Sequence, residues 1–235
     1  MKTRTFLIVL LTITLTGCFA PVNLTYESAR MLDEGQIELQ GSYSRYYVLN
    51  DEDVETANLN NNFGFAAGYG VSDKYTMKVR FEHMNMTPDF NTIFGDDDEE
   101  GEDDDIWSDL EKMNFFEFNN RIGLKEDVLA VSIPVGFYFY TSFDTENPSG
   151  FGYFSIDPRL YLTLFGSSDI FELTVSPKIH VLVAGFGGIA AYPGISLGIG
   201  LSSDLDRWAV RPEIAYDRFL SFGIGASFNF NTARK

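Results

Sequence analysis

Two-residue alternation of apolar with polar or small side chains runs through most of the chain. It is clearest near the C-terminus, where Phe222, Ile224, Ala226, Phe228 and Phe230 alternate with Gly223, Gly225, Ser227 and Asn229. Ile195, Leu197, Ile199 and Leu201 alternate in the same way with Ser196, Gly198, Gly200 and Ser202. Phe171, Leu173, Val175, Ile179, Val181 and Val183 alternate with Glu172, Thr174, Ser176, Lys178 and His180. Side chains of a strand alternate between two faces, whereas a helix repeats every ~3.6 residues, so only strands keep such sets apart. The pattern predicts ten strands, at about 36–48, 59–70, 75–87, 113–124, 128–141, 152–165, 170–183, 192–202, 207–217 and 219–230. The joins alternate too. Val71-Ser72-Asp73-Lys74, Lys125-Glu126-Asp127, Gly166-Ser167-Ser168-Asp169 and Ser203-Asp204-Leu205-Asp206 are short turns, whereas the other joins are 49–58, 88–112, 142–151 and 184–191, mostly longer, plus a tight one near Arg218. Pro134, Pro158, Pro177 and Pro212 fall inside these strands, and each must sit at a bulge or forfeit a ladder hydrogen bond.

The N-terminus follows another pattern. Lys2 and Arg4 precede a ten-residue apolar run, Phe6 to Leu15, too short to cross a bilayer but of signal-peptide length. Leu15-Thr16-Gly17-Cys18 resembles a bacterial lipobox. That resemblance implies cleavage before Cys18 and acylation of its thiol and new amino terminus. Phe19 is not the Asp that holds such lipoproteins in the inner membrane, so the resemblance implies the outer membrane.

Short turns on one side and longer loops on the other resemble a small outer-membrane β-barrel protein. Gly68-Tyr69-Gly70-Val71-Ser72-Asp73-Lys74-Tyr75 looks like a periplasmic hairpin of such barrels, and 222–230 resembles their C-terminal assembly signal. The expected fold is all-β, an up-and-down antiparallel transmembrane β-barrel of ten strands, with eight to twelve as the bounds. The expected organisation is a signal peptide over 1–17, a lipidated segment over 18–35, the barrel over 36–230 and a tail over 231–235. An even strand count puts both chain ends on the short-turn, periplasmic side, where the lipid anchor is expected. The partners implied are outer-membrane lipids and the barrel assembly machinery. A soluble periplasmic β-sandwich lipoprotein is the architectural alternative, since it predicts the same alternation.

Parity assigns the face opposite the apolar one to the lumen. It carries Glu38, Lys78, Arg80, Glu82, Glu117, Arg121, Asp157, Arg159, Glu172, Lys178, His180, Arg211, Glu213 and Asp217. Seven acids and six fixed bases are nearly balanced, as a paired network requires. About eight strands leave an interior that side chains fill, and ten lie near that end of the range. The set predicts either a plugged barrel or a narrow polar pore. A small outer-membrane hydrolase is the enzymatic alternative, but neither His83 nor His180 lies in a motif naming a nucleophile or base, so no enzyme and no catalytic residue is predicted.

Charge sharpens this reading. The net charge of −17 lies wholly in three joins assigned to the outer face, 51–55, 89–112 and 142–151, and the rest is balanced. The acidity argues against a nucleic-acid partner, whose phosphates call for a basic footprint. Residues 89–112 hold twelve acids and one base. Within them Asp96, Asp98, Glu100, Asp103 and Asp105 are weak candidates for Ca²⁺-like binding, because hard cations take carboxylate oxygens. Asp96-x-Asp98-x-Glu100-Gly101 resembles the start of an EF-hand loop but has Trp107 where the twelfth position needs Glu. Loosely held divalent cations are the only cofactor foreseen, and loop-mediated cation binding, ligand binding or adhesion is the alternative function.

Overall fold

The computed structural model describes residues 22–49, 56–87, 112–139, 152–165, 168–184 and 189–231. Cys18 and the acidic residues Asp96, Asp98, Glu100, Asp103 and Asp105 lie outside them. Among the described residues every element is a strand: β1 Gln36–Leu49, β2 Thr56–Ser72, β3 Tyr75–Met86, β4 Lys112–Lys125, β5 Leu129–Ser132, β6 Val135–Phe139, β7 Gly152–Ile156, β8 Arg159–Leu164, β9 Phe171–Ala184, β10 Ile189–Leu201, β11 Trp208–Tyr216 and β12 Leu220–Asn231.

The twelve segments make ten staves. β5 and β6 are two halves of one strand interrupted at Ile133-Pro134, and β7 and β8 are two halves interrupted at Asp157-Pro158. β4 pairs with both β5 and β6, and β9 with both β7 and β8, all antiparallel. The sheet closes where β1 meets β12, in unbroken register from Gln36–Asn231 to Tyr47–Leu220. Closure leaves no unpaired edge, which hydrocarbon would not tolerate. It also rules out the sandwich, whose two sheets would have remained separate. β12 runs one residue into the expected tail, to Asn231.

The prolines behave as the missing amide hydrogen dictates. Pro134 and Pro158 end their half-strands, and their carbonyls are still used, by the amides of Asp157 (3.0 Å) and Ile179 (3.1 Å). Pro177 and Pro212 stay within continuous strands, but one ladder lapses beside each. β8–β9 pairing skips from Arg159–Lys178 to Leu162–Val175, and β10–β11 pairing from Gly198–Glu213 to Leu201–Val210. The expected cost is therefore taken as local gaps in the ladder.

Alternation sets the two faces. Phe63, Phe65, Phe81, Phe116, Phe137, Ile195, Ile224 and Phe228 are exposed on the outside, and the polar partners of the pattern are buried within. An apolar exterior around a polar interior is the inverse of a soluble protein and suits a lipid surround. Asn120, on the apolar face, is answered by a hydrogen bond from the Tyr75 hydroxyl of the neighbouring strand. No helix is long and apolar enough to cross a membrane among the described residues.

A folded barrel of this kind keeps its shape in detergent until heated, so unboiled and boiled samples should migrate differently on a gel; identical migration would contradict the fold. Phe81→Arg, at the middle of β3, should cost ~2–4 kcal/mol of stability in lipid vesicles, the range for a cation on the lipid face of a barrel. Urea unfolding measures it.

Candidate functional site

The lumen is occupied by the chain itself. Residues 22–32 run through it without joining any strand, and 22–29 are all buried. The expectation that the N-terminal segment stays on the short-turn side is thereby corrected for this stretch. A tight turn sends the segment inward: Gly35, at φ 79°, donates to the Gly70 carbonyl (2.8 Å), and the Gln36 amide to that of Asp33 (3.0 Å). Leu32 then meets Thr76 near the start of β3, and Val22 meets Tyr138 near the end of β6.

An irregular backbone at membrane depth needs a partner for each polar group. Side chains of the barrel wall supply them. The amides of Val22 and Asn23 donate to the hydroxyls of Tyr138 (2.9 Å) and Tyr46 (3.0 Å). Arg80 Nη1 donates to the Leu24 carbonyl (2.6 Å). The Glu213 carboxylate accepts from the amides of both Thr25 (3.1 Å) and Tyr26 (2.5 Å). Gln40 donates to the Tyr26 carbonyl (3.0 Å), Arg121 to that of Ser28 (3.1 Å), and the Ala29 amide donates to Thr163 (2.8 Å). Tyr26 has φ 55°, the left-handed region, and the bonds to Glu213 and Gln40 on either side of it hold that bend.

The side chains of the segment complete the wall's charge pairing. All fourteen charged or imidazole groups assigned to the lumen are on the inner side with buried side chains. Glu27 joins them, facing Lys78 (3.1 Å), Arg121 (3.6 Å), the Tyr161 hydroxyl (2.8 Å) and Asn119 (3.3 Å). Lys78 also holds Glu38 (2.8 Å). Arg159 pairs with Glu117 (2.6 Å), Arg211 with Glu172 (2.7 Å), and Arg80 with Glu82. His180 Nδ1 lies 3.0 Å from Asp157, while Asp217 stands 3.6 Å from its Nε2. Lys178 Nζ is buried without a hydrogen-bond partner among the described residues.

The filling is layered. At the long-loop end the inward positions become apolar: Tyr46, Leu59, Met84, Met113, Phe115, Tyr138, Leu182, Tyr192 and Phe219 cluster around Val22. Parity places this seal on the inner face, since Met113 and Phe115 share a face with Glu117, but apolar residues there carry no charge to mark them as lumenal. The charged layer follows. At the short-turn end lies a mouth of about 690 Å³ lined by Arg30, Asp33, Asp73, Lys74, Glu126, Asp127 and Asp206 among others. Arg30 closes its inner side through Asp206 (2.8 Å), Asp127 (3.7 Å) and Glu172 (3.6 Å). Burial raises the Asp127 carboxyl above its usual pKa, against the pull of Arg30.

The wall leaves room for the segment where the sequence places small residues. A Cβ at Gly225 would lie 2.6 Å from the Tyr26 Cβ, and one at Gly223 would lie 2.8 Å from Leu24 Cδ1. The Gly-Ser inner face of β12 is thus the groove in which the segment lies.

Chemically the interior resembles a network more than a reaction centre. The Ser155 hydroxyl donates to Asp157 (3.1 Å), which His180 also faces, so this serine is not hydrogen-bonded to the imidazole that would have to activate it. No group of three or more His, Cys, Asp or Glu among the described residues is placed to hold a metal ion. His83 is on the outer face and bonds Asn114 (2.9 Å).

Removing one member of a buried pair strands its partner. Glu117→Ala should cost ~3–5 kcal/mol by taking from Arg159 its close, hydrogen-bonded carboxylate and leaving only Asp157 at 3.7 Å, whereas Asp206→Ala at the exposed mouth should cost less than ~1 kcal/mol. Unfolding in vesicles would show the two equal if the inner pair contributed nothing special.

No protein-family model matches the chain, and no curated protein matches it. Solved barrels are similar at low identity. The N-terminal β-barrel domain of Pseudomonas aeruginosa OprF is 10% identical, with 84% of this chain and 98% of that one covered and a TM-score of 0.35. Ail, the attachment invasion locus protein of Yersinia pestis, is 9% identical over 84% of this chain and 99% of its own, at 0.30. The translocator domain of autotransporter NalP from Neisseria meningitidis is 8% identical over 85% and 90%, at 0.45.

Proposed function

We propose that the chain is an outer-membrane lipoprotein whose barrel acts as a sealed scaffold, presenting acidic loops at the outer face and conducting no solute at rest. The observation that carries this is the filled lumen: residues 22–29 and Leu32 lie buried inside it, hydrogen-bonded to the wall at many positions. The apolar exterior supports a membrane setting, and the short-turn and long-loop pattern supports the outer membrane. The lipobox-like Leu15-Thr16-Gly17-Cys18 supports acylation at Cys18. The buried network, with its serine on the carboxylate, supports a non-enzymatic role. Joins 51–55, 89–112 and 142–151 place the net charge on the long-loop side, where the run 96–105 would collect divalent cations loosely and bridge to anionic lipopolysaccharide.

A gated narrow pore is the second reading. The segment is held by side chains and not by a ladder of its own, so its departure would leave a ten-stave lumen lined by charge.

Bilayer conductance separates the two. Wild-type protein should be silent at all voltages. Gly225→Val, which intrudes on Tyr26, should raise the frequency of openings at least tenfold. Spontaneous wild-type openings would favour the pore. Ca²⁺ titration against wild type and a variant lacking 96–105 tests the loop; equal binding would remove its cation role.

A further inference from the structure

We propose that the N-terminal end of the mature chain is delivered through the lumen to the outer face of the membrane, which seats the acyl chains of Cys18 in the outer leaflet. The acyl part rests on the lipoprotein reading above; the threading rests on the described residues alone.

The direction of the segment is fixed at both ends. Its C-terminal end is tied to the short-turn side: Glu34 donates to Asp73 (3.3 Å) in the β2–β3 turn, Gly35 to Gly70, and Leu32 to Thr76. Its N-terminal end is tied to the other side. Tyr46 and Tyr138, which accept from Asn23 and Val22, lie three residues and one residue before the ends of β1 and β6, where the long joins begin. Met84, Met113, Leu182 and Phe219, clustered with Val22, also lie within a few residues of that rim. The anchors between, Thr163 to Ala29, Arg121 to Ser28, Gln40 to Tyr26 and Arg80 to Leu24, allow no doubling back.

Chain length then decides. The eleven residues from Val22 to Leu32, ten Cα steps, span up to ~36 Å, enough to cross a hydrocarbon core of ~30 Å. Cys18 is four residues before Val22, a reach of at most ~14 Å. With the segment seated, an acyl chain on Cys18 cannot return to the periplasmic leaflet, but it can reach the outer one beside the long-loop rim. The lipid surface that receives it is the one that faces the acidic joins.

An epitope inserted between Ala20 and Pro21 of the full chain tests this in intact Gram-negative cells. Controls carry the epitope within 142–151 and at Asp127. Antibody should label the Ala20 insertion and the 142–151 insertion without permeabilisation, but not the Asp127 insertion. Labelling of the Ala20 insertion only after permeabilisation would overturn the threading. Heat-modified migration of each variant shows that the barrel is folded. Labelling with radioactive palmitate, lost in Cys18→Ser, reads the acylation separately: a surface epitope without palmitate would sink the lipoprotein reading, and palmitate with a periplasmic epitope would sink the threading. Because an insertion can unseat the segment, Asn23→Cys with Ser221→Cys gives an independent measure. Their side chains already meet across the lumen, where the Ser221 hydroxyl donates to the Asn23 side-chain oxygen, and a disulfide needs neighbouring side chains of this kind. Oxidation should cross-link them in the folded barrel, and failure to do so would overturn the proposal.

Discussion

A polar group in the interior of a membrane barrel has no bulk water to fall back on, and its partner must come from the protein or from a trapped solvent molecule. Closure of the β1–β12 seam meets that demand for the wall. The lumen makes a second demand, because the inner face carries thirteen fixed charges and a histidine. The segment 22–33 answers both at once. Its peptide groups take hydrogen bonds from Arg80, Arg121 and Gln40 and give them to Glu213, Thr163, Tyr46 and Tyr138, while Glu27 and Arg30 extend the ion pairs. Remove the segment and those wall groups lose partners; remove the wall charges and the segment's backbone is bare.

This mutual dependence explains the choice of residues. Arg is suited to the task, since one guanidinium serves a carboxylate and a carbonyl together, as Arg80 does for Glu82 and Leu24. Glycine and serine on the inner face of β12 give up packing so that Tyr26 and Leu24 can approach the wall. The aromatic and methionine layer at the long-loop end has no charges to satisfy, and there a dry seal is the cheaper solution.

Alternation made the barrel legible in the sequence: strands, parity and the lumenal identity of residues such as Arg121 and Glu213 all follow from a period of two. The prolines were legible as disturbances, though not in kind; Pro134 and Pro158 break their strands, whereas Pro177 and Pro212 only interrupt one neighbour's ladder. The seated segment was not legible. Val22, Leu24 and Tyr26 alternate with Asn23, Thr25 and Glu27, but the run is too short to mark an element, and its partners are distant in the chain, Thr25 being 188 residues from Glu213. One trace was present: a C-terminal strand whose inner face is Gly223, Gly225 and Ser227 has space that something must fill.

The seam between β1 and β12 has a consequence for biogenesis. β1 follows the threaded segment directly, and β12 is the last strand made. A closed wall is a ring around a rope, and with the proposed acylation of Cys18 the end of that rope is a knot too broad to be pulled through a ring packed with side chains. On that reading the ring is drawn shut around a rope already laid in place. The first and last strands of this chain are the clasp, and the order of events is segment first, clasp last.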